Sequence, residues 1–83
     1  MRDHGTDPTS PEILAWLDML PLREQLVTLH AMMFAMPTLQ RNRSWKTRIA
    51  AAHARINPTA AQLADILTAT RSRAKRLKEE PAG

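Results

Sequence analysis

Arg71, Arg73, Lys75, Arg76 and Lys78 fall within eight residues, with no acidic residue among them. Side chains of this type do one chemistry well: they hold phosphate oxygens, and an arginine fork can also grip guanine O6 and N7. The chemistry is useful only if an element presents several of these groups on one side. At 100° per residue, Thr70, Ala74 and Leu77 cluster on one side of a helix. Ser72, Lys75, Arg76 and Glu79 lie opposite, flanked by Arg71 and Lys78. The alternative is a solvated terminal helix whose charges serve solubility.

The whole-chain charge has the same asymmetry. Residues 1–40 carry Arg2 and Arg23 against Asp3, Asp7, Glu12, Asp18 and Glu24, a net −3; residues 41–83 carry ten Lys/Arg against Asp65, Glu79 and Glu80, a net +7, which together make the +4 of the chain. An acidic half followed by a basic half implies a polyanionic partner for the second half alone.

Other chemistries find little support. Glycine occurs only at Gly5 and Gly83, which excludes Gly-rich phosphate loops between them, and there is no cysteine for a thiol nucleophile or thiolate metal site. His4, His30 and His53 are far apart, and no serine stands in a recognisable pattern with a histidine and an acid. Asp18 and Glu24 straddle Pro21 on polar helix faces. The chain is therefore expected not to be an enzyme and to hold no metal, cofactor or small-molecule ligand. It has no run of about 20 apolar residues and no apolar leader, so a cytoplasmic location without membrane contact is expected.

Ala, Leu, Met, Arg and Gln dominate over β-branched and aromatic residues, which predicts an all-α fold with about five short helices. Residues 1–9 read as a flexible tail. Ser10-Pro11-Glu12 starts the first helix, and Pro21 closes it. A second helix, 22–36, is apolar around most of its circumference. Its Leu26, Met32, Met33, Phe34 and Met36 suit either a core or a surface shared with a second copy. Pro37 ends it, and Thr38–Arg43 connects to a third helix, Trp45–Ile56, capped by Ser44. Trp16 and Trp45, each in an apolar stripe, read as core. Asn57-Pro58 breaks the third helix, and Thr59-Ala60-Ala61-Gln62 is a capping box. A fourth helix, Ala60–Leu67, a turn at Thr68-Ala69-Thr70 and a fifth helix, Arg71–Glu80, complete a single domain, 10–80, ahead of a short tail, 81–83. Within the domain, 10–37 forms an N-terminal helical pair and 44–80 a three-helix core.

Residues 60–79 resemble the helix-turn-helix signature of bacterial and phage repressors. Ala64 occupies the place of the small residue where the two helices cross. Leu63 and Leu67 match the apolar positions around it, Ala69 follows the turn, and Ala74 and Leu77 hold down the second helix. Where the signature has its turn glycine, this chain has Thr68, a β-branched residue disfavoured at positive φ. Either the turn shifts by one residue or Thr68 is helical. In its size and its basic end the chain also looks like the KorA-like repressors of conjugative plasmids.

The resemblance implies a sequence-specific, double-stranded DNA-binding transcriptional repressor with helix 71–80 in the major groove. Arg71, Ser72, Lys75 and Arg76 would then reach base edges. Arg73 and Lys78 would contact phosphates, with Thr59, Thr70, Arg43, Lys46, Arg48 and Arg55 extending that track. A homodimer, joined through the apolar second helix, would read two half-sites. The competing reading is a small adaptor or inhibitor that binds a protein through the Met-rich helix 22–36.

Overall fold

The computed structural model describes residues 9–79; all but Thr9 of the expected tail at 1–9, the expected tail at 81–83, and Glu80, the expected last residue of the fifth helix, lie outside them. The described residues form four α-helices and one 3-10 helix, with no strand: α1 (Pro11–Met19), α2 (Leu22–Ala35), the 3-10 helix (Pro37–Arg41), α3 (Arg43–Ile56) and α4 (Ala60–Glu79). The fold is all-helical, with four α-helices instead of five.

Most boundaries follow from local chemistry. Ser10 caps α1, its Oγ accepting from the Ile13 N–H at 3.3 Å, and Pro11 occupies the first turn, where a missing N–H costs nothing. Pro21 separates α1 from α2. Pro37 ends α2 and opens the 3-10 turn, so the expected connection at Thr38–Arg43 is mostly ordered. The cap of α3 is Asn42, not Ser44: Asn42 Oδ1 accepts from the Trp45 N–H at 2.9 Å. Asn57 stops α3 in the left-handed region (φ 49°), which asparagine tolerates well, and Pro58 follows it. The capping box forms in both directions. Thr59 Oγ1 accepts from the Gln62 N–H at 3.2 Å, and Gln62 Oε1 accepts from the Thr59 N–H at 2.9 Å.

The main correction concerns residues 60–79. No turn interrupts them: α4 is a single helix of 20 residues, about 30 Å long. The stretch contains neither glycine nor proline. Thr68 is helical, and its hydroxyl donates to the Ala64 carbonyl oxygen at 3.0 Å, so its one polar group is satisfied without leaving the helix. Thr70 does not cap a new helix. It lies fully buried in the middle of α4, with Ile66 and Ala74 one turn before and after it on the same buried side.

α2 is the hub. It packs against α1, the 3-10 helix, α3 and α4, whereas α3 and α4 make no close backbone contact with each other. Segment 44–80 is therefore not a three-helix unit of its own. The core draws on every element: Leu17 from α1, Leu26, Val27 and Leu29 from α2, Leu39 from the 3-10 helix, Trp45 and Ala52 from α3, and Ile66 from α4. Trp45 is its largest member. The indole is buried, and Nε1–H donates to the Leu29 carbonyl oxygen at 3.0 Å, which removes the cost of burying that donor. Trp16, expected in the core, is instead about half exposed (49 %), because α1 turns Leu17 inward. No helix among the described residues is long and apolar enough to cross a membrane.

Candidate nucleic-acid interface

α4 has one side committed to α2 and one side open. Leu63, Ile66, Leu67, Ala69, Thr70, Ala74 and Leu77 are buried or half-buried. Five of the six residues expected to pack a helix-turn-helix thus do pack, but as the inner face of one straight helix. The sixth, Ala64, is exposed and marks no helix crossing. Its small side chain has no structural task there, because a continuous helix has no second helix to bring close.

The open side carries Arg71, Ser72, Lys75, Arg76 and Lys78, all exposed. Among the described residues none of the four cations forms an ion pair; the four pairs present join Arg23 to Glu24 and to Asp65, Arg48 to Asp18, and Arg73 to Glu24. The helix therefore offers about two turns of exposed positive charge, followed by Glu79 and anchored from behind by Thr70 and Ala74.

Three residues expected at a phosphate track are used otherwise. Thr70 is completely buried and cannot reach a phosphate. Arg73 turns toward α2, where Nη1 donates to Glu24 Oε1 at 3.1 Å and to Thr28 Oγ1 at 3.0 Å. Arg48 pairs with Asp18 of α1 at 2.9 Å. Arg43, Lys46 and Arg55 are exposed, and Thr59 is exposed with its hydroxyl engaged in the capping box. Wheel geometry alone could not have found the Arg73 and Arg48 partners, which lie 49 and 30 residues away in the chain.

The expected dimer surface also changes. Leu26 is fully buried, so it cannot meet a second copy. Met32, Met33 and Met36 are half-buried and packed against the core, and Phe34 alone of that group is exposed, at 40 %. The larger exposed apolar side chains are on α1, Trp16 and Met19, the latter 83 % exposed. The signal for this was present: α1 is apolar nearly all round yet only nine residues long, too short to bury every face in a small bundle.

No protein-family model matches the chain, and no significant match is found among curated proteins or solved structures.

Proposed function

We propose that the chain binds double-stranded DNA through the open face of α4 and represses transcription by occupying the site it binds. One observation carries this reading. Arg71, Lys75, Arg76 and Lys78 are all exposed and form no ion pair with any described residue, on a helix whose opposite side is locked to α2. A helix with its side chains is about 10–12 Å across, which matches a major groove about 12 Å wide. In this reading the helix enters the groove as one straight rod, without a turn before it. Arg71, Ser72, Lys75 and Arg76 meet base edges, while Lys78, Arg43, Lys46 and Arg55 meet phosphates.

A single helix in a groove gives about 600–1,000 Å² of contact, small for tight specific binding. Two copies reading two half-sites would double it. The outer face of α1 suits that contact. It exposes Trp16 and Met19 together with Glu12, an acidic residue that disfavours DNA and leaves the face free for a second copy, while Asp18 is engaged by Arg48.

Selection of bound sequences from a random DNA pool at fixed salt tests the reading directly. An enriched motif is expected, repeated at a fixed spacing if two copies bind. The affinity should fall steeply with salt, by a slope of about 0.9 per phosphate neutralised. Arg76→Ala should relax the motif at one position, whereas Lys46→Ala should weaken all DNA alike and lower the slope by about 1. Reversal of Arg71, Lys75 and Arg76 to Glu without loss of binding would remove α4 from the interface.

A further inference from the structure

A second feature lies away from the open face of α4, where α2 meets α3. His30 and Met33 from α2 and Lys46, Ile49, Ala50 and His53 from α3 line a groove of about 490 Å³. The groove is shallow and open to solvent, with Lys46, Ala50 and His53 exposed along it. Met33, Ile49 and Ala50 give it an apolar floor. Lys46, His53 and His30 are the only titratable groups among its described lining residues, and no carboxylate is present to balance them. His30 Nδ1 is buried with no hydrogen-bond partner. The exposed Phe34 ring stands beside it, with ring centroids 6.1 Å apart and planes tilted by 38°.

These features select a ligand by its chemistry. The apolar floor and the adjacent aromatic ring favour a hydrocarbon body. The ammonium of Lys46 favours one negative charge at its end of the groove, with no acid among the lining residues to repel it, and His53 lies about two turns along α3 at the other end. We propose that this groove binds a small amphipathic monoanion, an aliphatic or aromatic carboxylate, with its carboxylate on Lys46 at one end and its body along Met33, Ile49 and Ala50 toward His53. This goes beyond the DNA reading and does not depend on it: the groove shares none of the exposed residues of α4, and of the proposed phosphate contacts it includes Lys46 alone.

Sodium octanoate is the probe, titrated into the full chain. Binding is followed by calorimetry and by the imidazole proton shifts of His30 and His53. Saturable binding is expected, with both imidazoles shifting together. Octanamide, equal in length but neutral, should bind at least about tenfold more weakly. Lys46→Ala should weaken octanoate by about the same factor. Ala50→Trp, which fills the groove from an exposed position, should abolish it. Circular dichroism checks that each variant keeps its helix content, and Lys46→Glu provides a second variant at an exposed site should Ala50→Trp not fold. Equal binding of octanoate and octanamide, shifts at neither imidazole, or unchanged binding to the Lys46 variants would each overturn the assignment. The titrations are made without DNA, so the octanamide comparison, the imidazole shifts and Ala50→Trp read the groove alone, while Lys46 variants bear on both proposals.

Discussion

Arg73 sits in the middle of the basic run of α4 but faces the other way: its Nη1 lies 3.1 Å from Glu24 Oε1, across the junction with α2. The same nitrogen reaches Thr28 Oγ1, a hydroxyl that is otherwise almost wholly buried. One residue of the run is therefore turned to α2, while Arg71, Lys75, Arg76 and Lys78 stay exposed.

Replacing Arg73 should separate these two roles. Arg73→Ala removes a partly exposed ion pair, worth about 0–1 kcal/mol, and leaves the Thr28 hydroxyl without its partner, which adds about 1 kcal/mol. A loss of stability of about 1–2 kcal/mol is expected in urea unfolding. The salt slope of DNA binding should be unchanged, in contrast to Lys78→Ala. A variant of full stability with a reduced slope would show that Arg73 faces the phosphates after all.

Thr68 gives a test of the continuous helix. In a helix interior alanine is more favourable than glycine by about 1 kcal/mol, with threonine between them. Thr68 is exposed, so packing does not obscure the comparison. Stability should follow the order Ala, Thr, Gly at this position, read from thermal midpoints. A turn with positive φ would invert the order and make the glycine variant the most stable.

Thr70 carries a hydroxyl that the fold does not use. The side chain is fully buried, and Oγ1 has no hydrogen-bond partner. Burying an unpaired polar group costs about 1–3 kcal/mol. Thr70→Val keeps the shape and removes that cost. A gain of about 1 kcal/mol is expected, which would raise the midpoint by about 4–8 °C in a chain of this size. A lower midpoint would mean that the hydroxyl is paired.

His30 makes the fold sensitive to acid. Burial, and secondly the charge of His53, hold its pKa below the ordinary histidine value. The groups facing it across the groove are His53 and Lys46 from α3, both basic, and the lining contains no acid. The folded chain thus binds the proton less readily than the unfolded chain. Stability from this residue is complete above the unfolded value of about 6.5 and declines as the pH falls through it. Midpoints measured from pH 7.5 to 5 should drop, and His30→Leu should reduce the drop. An identical profile in that variant would place the acid sensitivity elsewhere.

Much of this protein was legible along the chain because it rests on neighbours in sequence. The Ser10 cap, the breaks at Pro21, Pro37 and Asn57-Pro58, and the Thr59–Gln62 box are interactions over a few residues, so residue type and spacing suffice to place them. The same holds for the basic run: its spacing on a helix puts Arg71, Lys75, Arg76 and Lys78 around one exposed side whether or not a turn precedes it. The choice between turn and helix at Thr68 was different. Each was locally possible, and what decides for the helix is the burial of Ile66, Thr70 and Ala74 along one face against α2, a helix more than thirty residues earlier. Tertiary contacts likewise turned Arg73 inward to Glu24, engaged Arg48 with Asp18, buried Leu26 and left Trp16 exposed. A side chain's periodicity tells which residues share a face; which face is covered depends on the partner that arrives there, and that is settled only when α2 becomes the helix all the others pack against.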